Sequence, residues 1–263
     1  MTEQKQMKIM VAIKQVPERD AQIVVAQDGK WIDDGDLNYT INEPDAYALE
    51  EALQFREKNG GEVVALCAGP ERVASTLREA LAKGADRAIH IQAEDLAARD
   101  TLSLARLLAG AIRADSDALP DLILTGLQSD DLGLGQTGVV LAELLEIPHA
   151  TIIMQVEKTT TGLRVKRELE DGWFQHVEMP LPALLTIQSG GNKLRYATLM
   201  GIKKAKSKPT ASIPAAPSAA PPAIDLARVY LPEKQKRTEM LRGTPAEIAA
   251  QLVEKLKFEV RVL

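Results

Sequence analysis

The stretch GLQSDDLGLGQTGVVLAELL, Gly126 to Leu145, places four glycines and an adjacent Asp130-Asp131 pair between an apolar strand-like run and a helix-like one. Gly133, Gly135 and Gly138 make a formal G-x-G-x-x-G. That pattern grips a dinucleotide pyrophosphate when its first glycine directly follows the first strand, because the tight turn must bring a helix N-terminus onto the ligand. Here the strand ends near Thr125 and Gly133 comes eight residues later, in the fourth strand-helix unit, so the context argues against a nicotinamide fingerprint. A phosphate site still fits. The glycines let backbone approach an anion, and Gln136 and Thr137 open the helix with amides, a hydroxyl and the positive end of its dipole. Asp130 and Asp131 do not suit direct phosphate contact. They accept hydrogen bonds from a ribose, close the loop or face water, and the residue types leave these three open.

Other chemistry is sparse. No G-x-x-x-x-G-K-[ST], H-E-x-x-H or G-x-S-x-G occurs, and His90, His149 and His176 lack ligand spacing. The single cysteine, Cys67, rules out an internal disulfide or a Cys-ligated cluster and fits a reducing compartment such as the cytoplasm. The formal net charge of -5 argues against a nucleic-acid partner. The one basic run, KKAKSK at 203–208, reads as a solvated edge. No apolar run approaches the ~20 residues of a membrane span, and the N-terminal pattern leads us to expect no signal peptide. A binding protein without catalytic or metal-ligating residues fits this inventory better than an enzyme.

The elements that must position the loop follow from patterning. KIMVAI, EVVALCA, AIHI and DLILTG are short apolar runs suited to strands covered on both faces. Between them lie three helical patterns: one from Pro44 stopped by Asn59-Gly60, one with Pro70 at its first position and Gly84 as its stop, and one capped by Asp100. Strands alternating with such helices predict a doubly wound, mostly parallel α/β sheet of Rossmann-like adenine-nucleotide type. From about residue 150, TIIMQVEK, LRVKRELE, WFQHVEMP and ALLTIQSG read as a β-meander or added antiparallel strands. These make a domain over 1–206, followed by a Pro/Ala-rich linker over 207–223 that is extended and semi-rigid. An arm over 224–263 ends in a helix with a Thr244-Glu247 capping box and Pro245 at its start. Its apolar stripe, Ile248, Leu252 and Leu256, has to dock on its own domain or on a partner.

Several segments together resemble the beta subunit of electron transfer flavoproteins: VKRELEDGWFQHVEMPLPALLT above all, joined by MVAIKQVP, INEPDAYALEEAL, LREALAKGADRAIHI, DLILTGLQSDDLGLGQTG and RYATLMGIKKAKSK. The resemblance spans nearly the whole chain. It implies a non-catalytic subunit that binds AMP and supports the FAD domain of an alpha subunit. The pair collects electrons from acyl-CoA or other dehydrogenases and delivers them to a quinone oxidoreductase. It further implies an AMP site built from Ala12, Asn42, Ala68 and the loop Gly126, Leu127, Gln128, Ser129, Asp130, Asp131, Leu132, Gly133, Leu134, Gly135, Gln136 and Thr137, with phosphate on the last three. Glu168 corresponds to a strand acid facing the flavin domain, and Leu199 to a leucine that anchors a dehydrogenase. By residue type alone Leu199 reads first as an ordinary core leucine, with the partner contact second.

Two departures bear on the site. The family often has Asn-Pro where Glu43 follows Asn42 here, and DDD-x-N-Q-T-G where this chain reads SDDLGLGQTG, so Gly135 supplies backbone where Asn gives a side chain. A bifurcating subgroup binds a second FAD in place of AMP and tends to carry DGDTAQVGP in this loop, which is absent here. The alternatives are that bifurcating type and an adenine-nucleotide-dependent α/β enzyme or sensor.

Overall fold

A computed structural model describes residues 6–217, 221–232 and 238–262. The chain divides into two compact units, Met1–Arg228 and Val229–Leu263. The first is organised by strands β1 (Lys8–Ala12), β2 (Gln15–Pro17), β3 (Val24–Val25), β4 (Ile32–Asp33) and β5 (Tyr39–Ile41), then helix α1 (Glu43–Asn59) and strand β6 (Glu62–Gly69). There follow α2 (Ala74–Lys83), β7 (Arg87–Gln92), α3 (Thr101–Ala114), β8 (Leu122–Gly126) and α4 (Thr137–Leu145). The unit continues with β9 (His149–Lys158), β10 (Leu163–Glu168), β11 (Phe174–Met179), β12 (Ala183–Ile187), α5 (Leu199–Ala205) and β13 (Thr210–Pro214).

Nine strands form one sheet in the order β11-β10-β9-β12-β8-β1-β6-β7-β13. The seven from β9 to β13 in this order run parallel, and β10 and β11 add an antiparallel edge. The central strands are covered on both faces, which is why they read as continuous apolar runs. Along β1 the alternation is explicit. Ile9 and Val11 pack into the core shared with α1 and α2, while Met10 faces the core shared with α3 and α4. The doubly wound sheet expected from the alternating segments is therefore present.

Local signals explain most boundaries. Asp100 caps α3 by accepting from the Ser103 backbone N–H at 2.8 Å. Gly84 ends α2. Pro70 does not start the second helix as expected: it precedes a 3₁₀ turn at Glu71–Val73, and α2 begins only at Ala74.

The later strands differ from a simple meander. Among these later strands, within the described residues, only β9, β10 and β11 are antiparallel neighbours. Ala183–Ile187 inserts between β8 and β9, parallel to both, because all five of its side chains are buried and need cover on two faces. Within the Pro/Ala-rich stretch, Thr210–Pro214 hydrogen-bonds along β7 as the outermost strand, where a proline is tolerated. Its root is held by Lys208, whose ammonium donates to the carbonyls of Leu81 and Ala85 at the C-terminal end of α2. The second unit contains α6 (Pro245–Lys255), with both bonds of the Thr244-Glu247 capping box formed and no residue buried.

Lys208→Met keeps the apolar stem and removes both charge-assisted bonds. We expect it to lower the unfolding free energy by about 1–2 kcal/mol in urea titrations. An unchanged midpoint would contradict an anchoring role for the ammonium.

Candidate functional site

From β1 the chain passes through α1 to β6 on one side and later returns through α3 to β8 on the other. This is a topological switch point, and the crevice beyond the strands' carboxyl ends is where such sheets hold ligands. Ala12, Ala68 and Gly126 lie at the carboxyl ends of the adjacent strands β1, β6 and β8. The structure thus groups three residues that are 56 and 58 positions apart in sequence.

A buried polar staple shapes the crevice. The Asp45 carboxylate, in the first turn of α1, accepts from the Lys14 backbone N–H and from the Gly126 N–H, each at 2.8 Å. It therefore ties the exit of β1 to the end of β8. Burial pushes its carboxyl up to about 6, against the opposing pull of these bonds and of Asn42. Gly126 has no room for a side chain, since a Cβ would stand 2.5 Å from Asp45 Oδ1 and 2.6 Å from the Pro44 carbonyl carbon.

Asn42 sits one residue before α1 and is 1% exposed. Its Nδ2 donates to the Gln128 carbonyl at 2.9 Å, and its Oδ1 accepts from the Asp130 N–H at 2.8 Å. Donor and acceptor ends of the amide thus both hold the backbone of the glycine loop. Asp130 in turn accepts from the Glu43 N–H at 3.3 Å, at the N-terminus of α1. Asp131 is gripped through both oxygens by the Lys14 ammonium at 2.6 Å and accepts from the Leu132 N–H at 2.8 Å. Partial burial works against its charge, but the Lys14 pairing wins and the carboxyl stays below its ordinary value. Both acids are therefore engaged in closing the loop, one of the three roles left open by residue type.

The rest of the loop delivers backbone to α4. Ser129 O accepts from the Gly133 N–H at 2.9 Å, and the Leu127 N–H reaches Ile187 O on β12 at 2.9 Å. Gly133 and Gly135 turn at φ of +63° and +64°, a conformation costly for other residues. Gly138 has a different role: a Cβ there would meet Thr186 Cγ2 at 2.6 Å and Thr125 Oγ1 at 2.8 Å, so it seats α4 tightly on β8 and β12. Gln136 precedes α4 without capping it through its side chain. The Gly135–Thr137 entry offers helix N-terminal amides and dipole to an anion. Leu132 and Leu134 are exposed on the loop's outer surface.

The other expected residues lie apart. Glu168 ends β10, three positions from β8 in the sheet, and accepts from Gln188 Nε2 at 3.1 Å. Leu199 opens α5 and is 81% exposed, so it is not a core leucine. His90 is buried with Nε2 2.9 Å from Gly69 O, while His149 and His176 are exposed. Burial pushes the Cys67 thiol up to about 12, leaving it an inert core group. Among the described residues no cluster of His, Cys, Asp or Glu has metal-site geometry, and no helix is long and apolar enough to cross a membrane. Lys14 and Asp45 were not among the expected site residues. Asp45 reads in sequence only as a favourable first-turn acid.

Comparison with known proteins bears on the whole chain. The family model for the electron transfer flavoprotein domain matches residues 30–218. The electron transfer flavoprotein subunit beta of Methylophilus methylotrophus is 37% identical over 260 residues, 94% of this chain and 97% of that one. The subunit of the same name from Bacillus subtilis is 37% identical over 263 residues, 98% of this chain and all of that one. The acryloyl-CoA reductase electron transfer subunit gamma of Anaerotignum propionicum is 33% identical over 263 residues, 95% of this chain and 98% of that one.

Asp45 generates a pH prediction. With a folded value near 6 against 3.8 for a free carboxyl, the folded state retains a proton that the unfolded chain has lost between those values. The Asp45 contribution to stability is therefore greatest below about pH 4, falls as pH rises to about 6, and is level above. The unfolding free energy of wild type minus that of Asp45→Asn should fall by roughly 1–3 kcal/mol across that window. A pH-independent difference would contradict the buried bridge.

Proposed function

Because this chain belongs to the electron transfer flavoprotein family, as a chain of its beta-subunit type, we propose that it is the non-catalytic half of a heterodimer that holds AMP in the β1/β8 crevice. The observation that carries this reading is the amide-lined α4 entry at the sheet's switch point, closed by the chain's own Asn42, Asp45 and Lys14. Phosphate falls on Gly135, Gln136 and Thr137, where helix amides and dipole favour an anion. The pairing of Asp131 with Lys14 removes the like charge that would otherwise repel it. Ala12 and Ala68 form the small-residue floor on the adenine side, and Asn42 holds the loop backbone in place.

FAD, held mainly by the alpha subunit, supplies the redox chemistry of the pair. This chain's part is to shape and support. In this reading Glu168, at the end of β10, is the acid that meets the flavin domain, and the 224–263 arm docks on the alpha chain. Leu199 is the contact for an acyl-CoA or other dehydrogenase, its exposure supporting that role over a core one. Electrons pass on to a quinone oxidoreductase, and the pair works in the cytoplasm.

The test is stoichiometric. The heterodimer, purified after co-expression with its alpha chain and then denatured, is expected to release one FAD and one AMP per pair. Release of two FAD and no AMP would overturn the AMP assignment in favour of a second flavin in the crevice. Turnover of ATP by this chain alone would overturn the non-catalytic reading.

A further inference from the structure

The segment around Leu199 has an unusual combination of exposure and anchoring. Tyr196 is 92% exposed and Leu199 81%, with Met200 and Ile202 also open. An apolar surface of this kind marks a contact site. The backbone beneath it is tied down on both sides. Before it, Asn192 Nδ2 donates to Tyr47 O and Glu51 Oε2 on α1, at 3.3 and 3.2 Å. Arg195 then forks across two carboxylates of the same helix. Its Nε and one terminal nitrogen reach Glu50 at 2.8 and 3.0 Å, and its terminal nitrogens reach Glu57 at 2.7 and 3.2 Å. The Glu50 side chain is only 5% exposed, so the fork lies on a buried charge. After it, Thr198 Oγ1 accepts from the Gly201 N–H at 3.0 Å, and Gly201 packs so closely on α2 that a Cβ would stand 2.3 Å from the Ala82 carbonyl oxygen.

We propose that Arg195 is a positioning residue for partner docking: by bridging Glu50 and Glu57 it holds Tyr196–Ile202 in one presentation before the dehydrogenase arrives. This rests on the reading that Leu199 is the dehydrogenase contact. A segment ordered in advance does not lose its conformational freedom on binding, so affinity rises without a new contact. Arginine suits the task because its planar fork satisfies two carboxylates at once, whereas a lysine keeps the charge but is a single point. Arg195 itself need not touch the partner.

Removing the guanidinium outright would leave Glu50 charged and buried, with a risk to folding, so the test uses Arg195→Lys and, at the more exposed end of the bridge, Glu57→Gln. The heterodimer serves as electron acceptor for a dehydrogenase that reduces the wild type, with Leu199→Ala as a docking control. Both clamp variants should keep full flavin content and raise the dehydrogenase's KM for the heterodimer, roughly tenfold for Arg195→Lys and less for Glu57→Gln, with kcat within about twofold. Amide hydrogen exchange over 196–202 should quicken in both. An unchanged KM in Arg195→Lys alongside a raised KM in Leu199→Ala would overturn the clamp and leave the docking site standing. An unchanged KM in all three would overturn the docking reading and the clamp with it.

Discussion

The Asp45 carboxylate bridges the backbone amides of Lys14 and Gly126, and so ties the exit of β1 to the end of β8. Parallel strands leave their carboxyl-end amides pointing into whatever follows, and a buried amide without an acceptor costs about 1–3 kcal/mol. One carboxylate answers two such donors here. Its desolvation is the counterweight, visible in a carboxyl raised to about 6. Glycine at 126 is a direct consequence, since the approach of α1 leaves no space for a Cβ. With the strand ends fixed, Asn42 and Lys14 can reach the loop and close it over its own acids.

Helix α1 thereby serves two regions. Its N-cap Asn42 and its first-turn Glu43 and Asp45 reach the glycine loop and the end of β8, and its later turns supply Glu50, Glu51 and Glu57 to the segment before Leu199. Its buried face, including Leu49, Ala52, Leu53 and Phe55, packs into one core beneath the sheet. A rigid element with a packed face is a better support for two exposed sites than a loop, because neither site can shift without disturbing the core.

Much of this was legible in the sequence, for identifiable reasons. Strands buried on both faces announce themselves as apolar runs, and Asp100, Gly84 and the Thr244-Glu247 pair mark helix ends by local chemistry that needs no tertiary context. The glycine loop was legible as backbone meant to approach something. What stayed hidden depends on long-range pairing. Lys14 and Asp131 are 117 residues apart, Asn42 and Gln128 86, and Asp45 and Gly126 81. An acid in a first helical turn looks the same whether it faces water or staples two strands. The insertion of Ala183–Ile187 into the parallel core was likewise invisible, because strand order is set by burial of both faces and not by the turns around the segment. Leu199 is exposed between the Arg195 and Gly201 anchors, an arrangement that no apolar pattern encodes.

The central claim is that the loop from Gly126 to Thr137, held by the Asn42 amide, is a nucleotide cradle. Asn42→Ala in the purified heterodimer, with AMP and FAD released and counted after desalting, tests it most directly. Loss of the two bonds to Gln128 and Asp130 should lower bound AMP on the order of tenfold while FAD stays at one per pair. AMP retained at the wild-type level would contradict the account.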